Sequence, residues 1–271
     1  MANYFHYDPS FLVAILFFII FTVSLNVHVY QVVTTRVWFF LPFLAGCVFE
    51  SMAFICRAVS AKEAPDYTVG VCMVQDHLLL LGPTCYSATI YTLLGRFIKY
   101  LEGDKYALIK PRWLTKIFLF GDITSITLQA FGMNLVQCDR LLTTTEGAVV
   151  AGLIVQLVFF TMFVVVTVCF HYRFAKNSLV QPPNWDKFMM AIYFACILIL
   201  VRSIYRMVEY VQGPNAELQS TEVYVYALDA IPMAIVTTIF HVIHPSSYMP
   251  VLDKTLSKTE SEVSLTYGRQ Q

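Results

Sequence analysis

Seven ionisable side chains lie within otherwise apolar stretches of the chain: Glu50, Arg57, Asp122, Arg202, Arg206, Glu209 and Asp229. In a hydrocarbon layer each costs roughly 2.5 to 3.5 kcal/mol near the centre unless it is paired or hydrated. Unpaired, the set would cost on the order of 20 kcal/mol, so these groups are expected to face one another or a wet cavity. Glu50 and Arg57 are seven apart, as are Arg202 and Glu209, which puts each pair on one face of its helix. Counting depth from the helix ends predicts three ion pairs: Glu50 with Arg202, Arg57 with Glu209, and Arg206 with Asp229. The chemistry such a set suits is a polar cavity opening outward that accepts the head of an amphipathic ligand. Gln75, Asp76, His77, Gln129, Tyr205 and Tyr226 are its candidate additional lining. The plainer alternative is that the pairs only hold helices together.

Asp122 is isolated from the other charges, with Asn26, His28 and His241 at comparable depth. A carboxylate with an imidazole inside a membrane can relay protons, and a hydrogen bond between helices is the alternative. His241 and His244 have the spacing of a helical metal pair, but His244 precedes Pro245, which favours a capping role, and no metal site is expected. Five of the seven cysteines fall inside apolar stretches, where a thiol behaves as a small hydrophobe. Cys72 and Cys138 fall near the exterior, where a disulfide is permitted if their Cα atoms approach within about 7 Å. A Gly-x4-Gly-Lys loop, a Gly-x-Ser-x-Gly elbow and a His-Glu-x2-His motif are all missing, so neither enzymatic activity nor a cofactor is expected and ATP is not used by this chain alone.

The elements that carry these residues follow from composition. Of 271 residues 58% are hydrophobic, 15% aromatic and only 13% charged. Apolar runs of about 20 residues suffice to cross a bilayer. They predict seven spans, at about Phe11 to Val33, Val37 to Ser60, Cys72 to Tyr100, Trp113 to Val136, Glu146 to Tyr172, Phe188 to Gln212 and Glu222 to Ile243. The expected fold is all-α and polytopic, with an exterior segment 1–10, a membrane domain 11–245 and a cytosolic tail 246–271. No basic residue precedes the first span and no small-x-small site follows it, so it reads as a retained helix rather than a signal peptide.

Eighteen basic and eighteen acidic residues cancel, which argues against a nucleic-acid partner. Divided among the connections, thirteen Lys and Arg fall on one side and two, Lys62 and Arg140, on the other. That asymmetry predicts an exterior N-terminus and a cytosolic C-terminus. The cytosolic side sums to +7 and the exterior to −6, where Asp8, Glu63, Asp66, Asp76, Asp139, Glu146, Glu217 and Glu222 make an acidic mouth that could concentrate cationic amphiphiles or simply be a solvated rim. The basic stretch from Arg96 to Lys116 either fixes topology or also binds anionic headgroups. The expected partners are membrane lipids and an amphipathic small molecule, and the expected location is the plasma membrane.

Several marks, in order, carry a resemblance. They are Tyr7-Asp-Pro-Ser10; Glu50 with Arg57; Gln75, Pro83, Tyr91 and Gly95-Arg96; Asp122 with Gln129 and Gly132; Gly152 with Gln156; Arg202-Ser-Ile-Tyr-Arg206, Glu209 and Gly213; and Glu222, Tyr226, Asp229 and His244-Pro245. Over nearly its whole length the chain resembles the fungal RTA-like proteins, the lipid-translocating exporter family. It departs from them at Ala53-Phe54, where Gly-Tyr is usual, and at Ser246, where glycine is usual. The resemblance implies a seven-helix membrane protein connected with export or tolerance of amphipathic compounds such as sphingoid bases or sterols, one branch being linked to porphyrins. A receptor-like lipid sensor and an intramembrane enzyme using Asp122 and the histidines are the other classes. The sequence has no clear internal repeat of the kind many transporters have, which keeps the sensor in view.

Overall fold

The apolar runs fold as seven long helices in the computed structural model: α1 (Phe11–Thr35), α2 (Leu41–Glu63), α3 (Val69–Tyr100), α4 (Pro111–Leu135), α5 (Leu142–Asn177), α6 (Trp185–Gln212) and α7 (Glu222–Val242). The structure describes residues 9–63, 67–135, 142–178, 185–212 and 221–248. α1 stops where Arg36 takes the left-handed conformation at φ 56°, and a 3₁₀ turn, Trp38–Phe40, leads into α2. α3 ends in a Schellman arrangement: Glu102 at φ 49° donates its N–H to Lys99 O at 3.1 Å, and Gly103 N–H reaches Ile98 O at 2.9 Å. α4 opens on Pro111, whose missing N–H is harmless in a first turn.

Successive helices pack against one another and α7 closes back on α1, making a ring, with α3 also reaching α6 across it. α3 is the innermost element, 78% buried over its most apolar stretch, against 28% for α1. Ser10, before α1, and Glu222, at the start of α7, meet at one end of the ring. Gln31 Nε2 bonds His241 O at the other end, 3.0 Å away. α1 and α7 are therefore parallel.

The outer surface is apolar. On α1, Leu12, Leu16, Ile19, Val23, Val27 and Tyr30 are exposed at three- and four-residue spacing, and on α6 so are Met190, Phe194, Ile197, Val201 and Ile204. An apolar band of this extent suits hydrocarbon rather than water. The ionisable side chains point the other way, with Glu50, Arg57, Asp122, Arg202, Arg206, Glu209 and Asp229 all buried. Among the described residues six helices are long and apolar enough to cross a membrane. α4 is not among them: it equals α1 in length, at 25 residues, but carries Arg112, Lys116, Asp122 and Gln129. The chain is a multi-pass integral membrane protein.

Candidate functional site

α3 contains Pro83, which has no N–H to offer the carbonyl four residues back. That carbonyl is Leu79 O, and the guanidinium of Arg202 on α6 donates to it through Nη2. A helix-breaking residue thus creates a buried acceptor that an arginine from the facing helix satisfies. Arg202 Nε donates to Asp229 Oδ1 at 2.5 Å, and Arg206, one turn further along α6, donates through Nη2 to Asp229 Oδ2. Asp229 therefore bridges two guanidiniums, and it does so from a π-helical turn in α7, Tyr226–Ala230, where Ile231 N–H bonds Tyr226 O five residues back. Such wider turns are frequent at functional sites. Arg206 Nη1 also bonds Glu209 Oε2 at 3.1 Å, and Tyr205 OH donates to Glu209 Oε1 at 3.2 Å.

Glu50 completes this cluster from α2. Its carboxyl is held against Gly82 of α3, where an added Cβ would lie 2.7 Å from Oε1. Glu50 interacts electrostatically with Asp229, Arg202 and Arg206, yet its Oε1 has no hydrogen-bond partner. Arg206 Nε is the cluster's other unsatisfied atom. All five charged members are between 1% and 6% exposed, so the cluster is sealed in this conformation rather than open to the outside.

Of the three expected pairs, Arg206 with Asp229 forms. Glu50 with Arg202 does not, because Arg202 is engaged by Asp229 and Leu79 O. Arg57 with Glu209 does not form either: Glu209 is taken by Arg206 and Tyr205 of its own helix, and Arg57 by residues of α7. Arg57 instead meets Glu222, one of the residues expected on the acidic rim. Its Nη2 is 3.1 Å from Glu222 Oε1, its Nε donates to Tyr226 OH at 3.0 Å, and Tyr226 OH donates to Glu222 Oε1 at 2.9 Å. Glu222 also accepts from Ser10 N–H, so one carboxylate ties together the ends of α1, α2 and α7. Glu222 is 17% exposed and its loss is screened by water. Glu222→Gln should lower stability by only about 1 kcal/mol, a fall in melting temperature that added salt reduces.

The other candidates divide. Asp76 interacts electrostatically with Tyr210 and Glu209 at the edge of the cluster, and Gln75, a turn before Leu79, is buried with Oε1 unpaired. His77 Nδ1 turns back to Met73 O on its own helix at 2.7 Å. Gln129 belongs to a separate contact between α4 and α5, bonding Ser125 Oγ at 2.5 Å and Gln156 Oε1 at 3.3 Å. Asp122 faces Tyr91 of α3. Its expected relay is not assembled, since His28 and His241 stack on each other at the seam of α1 and α7, 3.9 Å between ring centres. Among the described residues no hydrogen bond or ion pair joins Asp122 to either histidine. Asn26 bonds Thr22 O on its own helix. His244 Nδ1 shares a hydrogen bond with Ser246 Oγ at 2.8 Å and accepts from Ser246 N–H at 3.4 Å, the capping role its place before Pro245 suggests. Cys72 is buried against the Ser60 hydroxyl at 3.6 Å, and Cys138 lies outside the described residues.

Leu79 O was legible in principle, because Pro83 names the carbonyl it orphans. A double-mutant cycle between Pro83→Ala and Arg202→Lys should show a coupling of about 1 kcal/mol or more, read from unfolding in mixed micelles. Additive effects would mean that the Leu79 carbonyl and Arg202 are energetically independent.

Comparison with known proteins places this arrangement. A family model, RTA1 like protein, matches residues 43–251 and so includes Glu50, Pro83, Arg202 and Asp229. Protein RTM1 of Saccharomyces cerevisiae is 34% identical over 216 residues, 78% of this chain and 69% of that protein. Protoporphyrin uptake protein 1 of the same yeast is 34% identical over 213 residues, covering 78% and 70%. The yeast sphingoid long-chain base transporter RSB1 is 26% identical over 277 residues, covering 88% and 72%. No solved structure matches. The extent of the family match, taking in the helices that build the buried cluster, shows that the chain belongs to the RTA1-like protein family.

Proposed function

We propose that this protein translocates amphipathic lipids or lipophilic toxicants of sphingoid-base or sterol type across a membrane, without using ATP itself. The observation that carries the reading is the buried cluster in which three carboxylates, Glu50, Glu209 and Asp229, meet two guanidiniums, Arg202 and Arg206. A sealed set of charges with one carboxylate in excess suits a cationic head that enters when the outer helix ends part. Two of the relatives are named for the uptake of protoporphyrin and the transport of sphingoid bases, both amphipathic molecules. The lipid-facing band around the ring would let the apolar part of such a molecule stay in the bilayer while its head engages the cluster.

In this reading all seven helices cross, α4 included, since it lies between α3 and α5 in the ring. The end bearing Ser10 and Glu222 faces outward in the plasma membrane. The opposite end carries exposed Arg36, Lys99, Lys105, Lys110 and Arg112, with Arg96 lying 4.3 Å over Phe39, and faces the cytosol. No catalytic step is assigned to the cluster.

The test is reconstitution of purified protein into liposomes containing a fluorescent sphingoid base, with an impermeant quencher reporting the outer leaflet. Protein-dependent exchange between leaflets is expected. Saturable binding without exchange would overturn translocation and favour a lipid sensor.

A further inference from the structure

We infer that Glu50 is an exchangeable cation site, its carboxyl holding a proton in the sealed state and giving that proton up when the ammonium of an amphipathic amine binds. The inference rests on the translocation reading and deepens it, by making cargo entry an exchange of one cation for another.

The groups facing Glu50 leave its Oε1 without a donor. On its own helix, Cys47 Sγ accepts from Tyr86 OH of α3 at 3.5 Å, so that hydroxyl is engaged. Arg202 of α6 points Nε at Asp229 and Nη2 at Leu79 O, and Arg206 points Nη1 at Glu209 and Nη2 at Asp229. From α7 comes Asp229 itself, a carboxylate already fixed by both guanidiniums and a source of repulsion for a second negative charge. Gly82 offers no side chain, and Glu50 Oε1 lies against it, 99% buried by residue and unpartnered. An ionised carboxylate so placed would be a bare charge in a low-dielectric interior. A proton removes that charge, and an alkylammonium compensates it equally well. When the ammonium enters, the O–H bond of the carboxyl breaks, the proton leaves to water, and the net charge of the cluster is unchanged. Proton and cargo thus compete for one oxygen pair.

Asp122 is the natural comparison, since it is also buried with both oxygens unpaired, but it lies on α4 against Tyr91 with no arginine or second carboxylate among its neighbours. It belongs to neither the cluster nor the exchange.

The test uses a quaternary amine, dodecyltrimethylammonium, which cannot carry a proton. Full-length protein in detergent and weak buffer near neutral pH is titrated with this probe while an indicator dye follows the medium. Wild type should release about one proton per ammonium bound, and by linkage its affinity should weaken up to about tenfold for each pH unit of acidification. Glu50→Gln, checked for an unchanged elution profile, should release none, and Asp122→Asn should behave as wild type. If Glu50→Gln does not fold, the pH dependence of wild-type affinity carries the test. Absence of binding, binding without proton release, or release abolished by Asp122→Asn and kept in Glu50→Gln would each overturn the inference. Leaflet exchange without proton release would leave translocation standing and remove this site; proton release without leaflet exchange would do the reverse.

Discussion

Asp229→Asn is expected to destabilise the protein by about 3 to 5 kcal/mol, the range for breaking a buried ion pair while leaving its partner charged. The physical reason is that one carboxylate serves two buried guanidiniums, Arg202 through Oδ1 and Arg206 through Oδ2. The amide keeps one acceptor and turns an NH2 toward the other arginine, so a cation in a low-dielectric interior loses both its counter-charge and its hydrogen bond. On the scale of globular domains this is a fall of roughly 10 °C in melting temperature, measurable on detergent-solubilised protein. Glu209→Gln should cost clearly less, because Arg206 keeps Asp229. A loss below about 1 kcal/mol for Asp229→Asn would place its carboxylate in water rather than in a sealed cluster.

Gly152→Ala is expected to destabilise by about 1 to 3 kcal/mol, against the usual gain from replacing glycine in a helix. A Cβ there would lie 2.8 Å from Ser125 O and 3.2 Å from Gln129 N, both backbone atoms of α4, as well as 2.7 Å from Gln129 Cγ. Backbone cannot turn aside, so α4 and α5 must separate, and Ser125 Oγ then loses its 2.8 Å bond to Gly152 O. Gly70 and Gly147 provide the contrast, since among the described residues nothing lies within 4 Å of a Cβ at either. Gly70→Ala and Gly147→Ala should be neutral or stabilising by up to about 1 kcal/mol. Equal melting temperatures for the three variants would contradict the close approach of α4 to α5.

The helices and the seven ionisable residues within them were readable because both follow from one-dimensional facts: an apolar run long enough to cross, and a charge too costly to face lipid. Depth was readable for the same reason, and it matched Arg206 with Asp229. Position around the ring was not. Depth gives a level along the membrane normal and says nothing of position around the ring, so it matches Arg57 with Glu209 of α6 where the acidic partner at that level is Glu222 of α7. Its partner Glu222 looked like part of a solvated rim, because the boundary of α7 divides loop from helix at that residue. The π turn that directs Asp229 toward α6 leaves no mark in hydropathy, whereas Pro83 does mark Leu79 O for any reader who asks where its missing hydrogen bond goes. Gln129 joins the expected cavity lining by polarity alone, whereas in the structure it bonds Ser125 of its own helix and Gln156 of α5.

The central claim is that the buried cluster, with one carboxylate more than its guanidiniums can neutralise, receives the cationic head of an amphipathic cargo. It is tested most directly by comparing two cargoes in the same proteoliposomes, a labelled sphingoid base with its free amine and the same molecule N-acetylated, which has the same tail and no charge. The account predicts that the amine exchanges between leaflets at least about tenfold faster through the protein, the equivalent of about 1.4 kcal/mol of discrimination. Equal protein-dependent rates for the two would contradict it.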